Sequence, residues 1–183
     1  MLTLYYSFVR SPLEYCSLLW HPQTIGDIEL VEGVQRSFTA RISGMNHLNY
    51  WDRLKSLNLM SLHHQRERYI IIMLWKYINK LVPNDIGAEF YLSSRRGMQA
   101  VLPSILRCRR IITQYDSSFA VVGPKLWNVL PAELNQINDI DMFKGKLTKL
   151  LLTVPDRPPI LGYTRANNNS LVEVIPGHRD NLS

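Results

Sequence analysis

Ser61-Leu62-His63-His64-Gln65-Arg66-Glu67-Arg68-Tyr69-Ile70-Ile71-Ile72-Met73-Leu74-Trp75-Lys76-Tyr77-Ile78-Asn79-Lys80-Leu81 is the stretch whose reading decides the fold. Ser61 is a good N-cap, and Ile70, Leu74, Tyr77, Ile78 and Leu81 recur at helical spacing, so the stretch predicts one long helix from Leu62 to Leu81. Its early turns are polar and its later turns apolar on more than one face. The expectation is a buried helix against which others pack, with His63 and His64 exposed to solvent at its start.

Helix signals recur on both sides. Ser11-Pro12 reads as N-cap and first helical residue, predicting a new helix from Pro12 to Leu19 or Trp20, ended by His21-Pro22. Thr24, with Asp27 at N3, caps a helix running to about Ile42 with Ile28, Val31, Phe38 and Ile42 on one face, and Gly44 follows as a stop. A shorter helix spans Tyr50 to Leu57 and ends at Asn58. Past Val82-Pro83 the texture changes. A boundary falls between Pro83 and Arg95, and an extended or strand-like segment is expected around 103–114. Helices resume at Ser117-Ser118 up to Val122, again over Lys125–Leu130, and last from Ile140 with Met142, Phe143, Leu147, Leu150 and Leu151 as its apolar stripe. The tail from Pro155 is rich in Pro, Gly and Asn and reads as mostly disordered from Asp156 to Ser183. The sequence thus predicts an all-α helical bundle in two parts, 1–83 and 84–154, followed by a tail at 155–183.

A chain of 183 residues with 46% hydrophobic and 20% charged residues suits one globular domain able to bury its own core. Cys16 and Cys108 lie far apart, outside any CxxC pair, and read as free thiols in a reducing compartment. Met1 to Arg10 has no basic n-region or cleavage site, and the longest apolar run, Tyr69 to Trp75, falls far short of the roughly 20 residues of a membrane span. An intracellular protein, in cytoplasm or nucleus, is expected, neither secreted nor membrane-bound.

Charge is unevenly placed. Residues 1–92 carry nine basic and eight acidic side chains, residues 93–183 twelve and seven. Arg95, Arg96, Arg107, Arg109 and Arg110 fall within 93–115, a stretch without an acid. Charge alone favours a merely solvated surface; shared on one face, the same arginines would suit nucleic-acid phosphates.

The motifs of enzymes are not found. There is no GxGxxG, Walker A loop, GxSxG or HExxH. His63 and His64 are adjacent on a helix and point apart, so they do not chelate one ion from a single face. Asp139 and Asp141 head the last helix and read as capping residues. No catalytic residue, metal site, cofactor or small-molecule ligand is assigned.

Three stretches together resemble LINE-type (non-LTR, jockey-like) retrotransposon reverse transcriptases. Phe8-Val9-Arg10-Ser11-Pro12-Leu13-Glu14-Tyr15, then Trp20 and Ile28 through Val34-Gln35-Arg36, is similar to the segment that follows the palm in that family. Tyr50-Trp51-Asp52-Arg53-Leu54-Lys55-Ser56-Leu57 through Leu62, then Arg66 and Arg68, is similar to a second motif, with Gln65 where a basic residue is usual. Ser118-Phe119, Gly123-Pro124-Lys125-Leu126-Trp127-Asn128-Val129-Leu130-Pro131 and Phe143-Lys144 are similar to the closing motif. The resemblance spans about residues 5 to 151. It implies a helical thumb and connector, with the catalytic aspartates in a palm upstream of Met1. Trp20, Tyr50, Trp75, Trp127 and Phe143 are expected to be core aromatics. Three readings stay open: a non-catalytic polymerase remnant binding RNA or DNA backbone weakly and partnering an upstream polymerase domain; a helical interaction or structural module; and an unused product of a degenerate element.

Overall fold

A computed structural model describes residues 2–22, 24–82, 90–95, 98–103, 118–160 and 169–175. The fold is mostly helical, as the periodicity predicts. Helix α1 is an unbroken helical path through Leu2–Leu4, a π-helical stretch at Tyr5–Arg10 and an α-helical end at Ser11–Glu14. Then come α2 (Ile25–Ala40), α3 (Tyr50–Ser56), α4 (Leu62–Ile78), strands β1 (Phe90–Arg95) and β2 (Met98–Pro103), α5 (Phe119–Asn128), α6 (Ala132–Asn135), α7 (Ile140–Thr153) and α8 (Leu171–Val174).

The expected helix from Pro12 to Trp20 is not formed. Ser11 is not a cap but itself helical, its N–H bonding Tyr6 O in a π-turn, and the helix ends at Glu14 with Cys16 at φ 52°. A proline crowds the turn before it, and the wider i→i+5 turn just upstream accommodates Pro12 without breaking the path. One consequence is that Tyr5 and Arg10, five residues apart, are the buried residues of the π-helical stretch.

The caps of α2, α4 and α7 follow the sequence. Thr24, Ser61 and Asp139 accept the backbone N–H of Asp27, His64 and Met142. Asn49 does the same for α3, accepting from Asp52 N–H at 3.0 Å. Asn58 and Lys80 take left-handed conformations that end α3 and α4, letting Leu59 N–H and Leu81 N–H reach back to Leu54 O and Lys76 O.

The second half of α4 organises the main core. Ile70, Ile71, Leu74 and Trp75 are buried with Val122, Leu126 and Trp127 of α5, Leu134 and Ile137, and Phe143, Leu147 and Leu151 of α7. Phe143 stacks on Trp75 at 5.4 Å between centroids and lies 6.0 Å from Trp127, while Trp75 Nε1–H donates to Ile137 O at 2.8 Å. Residues of the expected parts 1–83 and 84–154 share this cluster. A smaller cluster joins Tyr5, Tyr50, Leu54, Leu59 and Ile160 beside the first half of α4.

Two further expectations change, and a hairpin is added. Val122 and Lys125 belong to a single helix, α5, with Pro124 inside it, because the buried face Val122, Leu126 and Trp127 is continuous across the proline. Strands β1 and β2 pair antiparallel from Phe90 against Pro103 to Arg95 against Met98, and the strand-like segment expected around 103–114 lies, beyond Pro103, outside the described residues. The tail is packed in part. Pro158, Pro159, Ile160, Asn169 and Leu171 are buried, and Ser170 caps α8; residues 161–168 and 176–183 are outside the described residues. Among the described residues no helix is long and apolar enough to cross a membrane.

Truncating the ring at the centre of the main core should be costly. Phe143→Ala is expected to destabilise the chain by about 3–5 kcal/mol, read from urea unfolding followed by tryptophan fluorescence. A loss below about 1 kcal/mol would mean that α7 does not close the core over Trp75.

Candidate functional site

The first turns of α4 read as a wet helix start, yet Ser61, His63, His64, Arg66 and Glu67 are all buried. The expected solvent-exposed histidines are thus inside the protein. Three segments close over them: the turn at 15–22, helix α2, and the tail pieces 156–160 and 169–175.

Helix α2 contributes a polar stripe. Its buried residues are Ile28, Glu32, Gln35 and Thr39, whereas Val31, Phe38 and Ile42 are only half-buried. Glu32 accepts Tyr50 O–H at 2.7 Å on one oxygen and His63 N–H at 2.9 Å on the other. Gln35 accepts Tyr5 O–H and donates to Tyr50 Oη at 3.0 Å and Met60 O at 3.1 Å. Burial pushes the Glu32 carboxyl up to about 7, against the lowering effect of Tyr50's hydrogen bond.

The tail meets α4 through two carboxylates. Asp156 accepts Ser61 N–H at 2.7 Å and Asn169 Nδ2–H at 2.8 Å, and Asn169 accepts Arg157 N–H at 2.8 Å. Its position at the start of α4 also places negative charge at the positive end of the helix dipole. Glu67 accepts Ser170 Oγ–H at 2.5 Å and Leu171 N–H at 2.9 Å, the donors that open α8. Burial pushes the Glu67 carboxyl up to about 8. His64 donates from Nε2 to Asn169 O at 2.8 Å, since a carbonyl only accepts, and its Nδ1 faces Asp156 Oδ1 at 3.3 Å.

The turn at 15–22 brings in the third group. Arg66 donates to Leu13 O at 2.8 Å and lies over the Trp20 ring at 4.1 Å. His21 stacks on His63 with centroids 5.1 Å apart. His63 Nε2 lies 3.7 Å from Glu67 Oε1, and donor atoms of His21, His63 and Glu67 all fall within 4.8 Å of one another. His21 Nδ1 and both ring nitrogens of His63 are buried without a hydrogen-bond partner. An unmet buried polar atom costs about 1–3 kcal/mol. Burial, followed by the charge of Arg66, lowers His21 to about 4; burial, followed by the charge of His21, holds His63 well below 6.5. Adjacent His63 and His64 do diverge, as their spacing dictates. The signal that spacing alone left unused is His63 and Glu67, four residues apart on one face, joined by a histidine from another element.

The motif residues of the sequence are mostly structural pairings. Arg10 and Glu14 form an ion pair, and Glu14 also accepts Tyr69 O–H at 2.8 Å. Arg53 donates to Leu48 O at 2.8 Å and to Arg36 O at 3.5 Å, while Leu54 is buried. Trp127, Leu130 and Phe143 are core residues, Leu13 and Asn128 are half-buried, and Pro131 is exposed. Trp20 is not a core aromatic: it is 40% exposed and serves as the platform for Arg66, with Nε1–H on Tyr15 O; Tyr15 is 75% exposed. Arg10, Glu14 and Tyr15 line one side of an open groove of about 500 Å³ completed by Tyr69, Met73 and Lys76 of α4. Of the arginine run, Arg95 ends β1, and Arg96, Arg107, Arg109 and Arg110 lie outside the described residues. No protein-family model, curated protein or solved structure matches the chain.

The raised carboxyls and lowered imidazoles give stability opposite pH slopes. Glu32 and Glu67 hold protons in the folded state that the unfolded chain releases near 4.5, so their contribution is complete below that pH and lost as pH rises through about 7 and 8. His21 and His63 stay neutral when folded while the unfolded chain binds protons below 6.5, so stability falls as pH drops below that value. Between 4.5 and 6.5 the two pairs oppose each other. The unfolding midpoint is therefore expected to decline from pH 6.5 to 8, and Glu32→Gln to lessen that slope by at most about 1.4 kcal/mol per pH unit. Chemical denaturation at a series of pH values reads both, and a midpoint rising over that window would contradict the burial of neutral carboxyls.

Proposed function

We propose that residues 5–151 form the helical region that follows the palm in a LINE-type reverse transcriptase, acting without a catalytic centre of its own as a backbone-directed nucleic-acid-binding element. The observation that carries the reading is the way its three motif stretches are joined, the first to the second directly and the first and third through α4. Glu14 of the first stretch holds Tyr69 beyond the second, Gln35 of the first holds Tyr50 of the second, and Trp127 and Phe143 of the third stretch close on Trp75. Motifs of this kind conserve packing, so their presence in order is meaningful where no catalytic set is found.

The binding element in this reading is the arginine run. It lies between α4 and α5, helices that pack on one another, so both ends of the 79–118 segment are held on a common base. Five arginines without an acid among residues 93–115 make a local positive field, and each phosphate contact releases condensed counterions. The partner for the opposite end is an upstream polymerase domain. Leu4 and Phe8, one turn apart on α1, are 56% and 74% exposed, an apolar surface suited to such a neighbour. The same surface is what favours the second reading, a helical interaction module without a nucleic-acid role.

Fluorescence anisotropy with labelled single-stranded RNA and DNA separates the two. The full chain is expected to bind both without sequence preference, with Kd about 10⁻⁴ to 10⁻⁶ M. Replacing Arg107, Arg109 and Arg110 together by alanine should weaken binding and flatten the plot of log K against log salt. No binding at low salt, or binding indifferent to the triple replacement, would leave the interaction module. Primer extension by the pure chain with magnesium or manganese is expected to be absent.

A further inference from the structure

We propose that His21, His63 and Glu67 form a structural zinc(II) site that pins the turn before α2 to the first turns of α4. The inference stands apart from the nucleic-acid reading, since it uses none of the arginine run.

The donor set and its placement come first. Two imidazoles and one carboxylate are a borderline nitrogen and oxygen set, which suits zinc better than magnesium or calcium. His63 and Glu67 are four residues apart on one helix, so their side chains project from the same face one turn apart. His21 arrives from a separate segment, which is what a cross-linking site requires.

The distances agree. Zinc binds imidazole nitrogen and carboxylate oxygen at about 2.0–2.2 Å, so two donors at a tetrahedral ion sit about 3.3–3.5 Å apart. His63 Nε2 and Glu67 Oε1 are already 3.7 Å apart, and all three donor atoms lie within 4.8 Å.

The independent observation is the unmet nitrogens. His63 is 3% exposed, and neither of its ring nitrogens has a hydrogen-bond partner; His21 Nδ1 is in the same condition. A buried imidazole normally has its nitrogens occupied. A metal ion at this point occupies one on each ring.

Neighbouring charge permits the ion. Arg66 lies close to both histidines and opposes it. Asp156, which faces His64, is the compensating carboxylate on the adjoining tail, and zinc takes the place of the Glu67 proton when it binds. With three protein ligands, solvent takes the fourth position. The enclosure of the set, and its anchoring of Glu67 by Ser170 and Leu171, point to a holding role.

The test uses the full chain, stripped with a chelator and titrated with zinc chloride against a chromophoric competitor. One zinc per chain is expected, together with a higher thermal midpoint and the visible bands of tetrahedral cobalt(II) on substitution. His21→Ala, His63→Ala and Glu67→Gln should each weaken binding by at least about tenfold, the lower bound seen even for residues that only support a ligand. Glu67 and His63 sit inside α4 and their loss can disturb folding. His21→Ala is then decisive, because His21 lies outside any helix and circular dichroism can verify the fold. His47→Ala and Cys16→Ser, both at exposed positions, should bind as the unaltered chain does. Sub-stoichiometric zinc at micromolar free metal, or a folded His21→Ala variant that binds as tightly as the unaltered chain, would overturn the site.

Discussion

The burial of α4 along its whole length is the constraint from which the rest of the structure follows. A helix whose first turns carry His63, His64, Arg66 and Glu67 would ordinarily keep them in water, because a buried polar group without a partner is expensive. Here each side of that polar half is met by a different segment. Glu32 comes from α2 to His63 N–H, Leu13 O from the end of α1 to Arg66, and Asn169 O with the Ser170 and Leu171 donors from the tail to His64 and Glu67. None of those segments has reason to lie where it does without α4. The order of elements around the helix is thus set by polar complementarity at one end and by apolar packing at the other.

The two ends do different physical work. The Ile70 to Trp75 half is covered by α5, α6 and α7 through non-directional burial, with the Trp75, Phe143 and Trp127 rings giving the contact its shape. The first half offers little apolar area but many directional bonds. A buried polar network of that kind selects one arrangement among several compact ones only if its members are satisfied together. The chain Gln35 to Tyr50 to Glu32 meets that condition, and the His21 and His63 nitrogens do not. That contrast within one small region is why the second cluster, and not the first, is the place to look for a missing ligand.

How much of this the residues announce depends on which interaction decides each element. Caps are local, so Thr24, Ser61 and Asp139 were legible, as was α4 from its periodicity, though it ends at Ile78 rather than Leu81 because Lys80 turns left-handed. The path through Pro12 was not, because a π-turn replaces the serine cap that Ser11-Pro12 suggests, and nothing local favours one over the other. The polar stripe of α2 was hidden because Ile28, Val31, Phe38 and Ile42 form a plausible apolar face of their own. The tail misled for the opposite reason: its composition of proline, glycine and asparagine speaks for disorder, while Asp156, Asn169, Ser170 and Leu171 are fixed by partners more than 90 residues away in sequence. His64 meets Asn169 and Asp156 of that tail, while His63 is met by Glu32 of α2 and by His21. No window centred on α4 contains that information.

Basic residues in a sequence are not by themselves a phosphate-binding surface. Phosphate binding needs cations held on a stable base, and it needs those cations kept out of internal pairing. Arg10, Arg53 and Arg66 fail the second condition. Arg10 is paired with Glu14, Arg53 with backbone carbonyls, and Arg66 with Leu13 O and the Trp20 ring. They are consumed in building the scaffold. Residues 93–115, which lie between α4 and α5 in the sequence, carry five arginines and no acid. A side chain held in an internal pairing is not offered to an external anion, so the net charge of a sequence overstates the charge its surface presents.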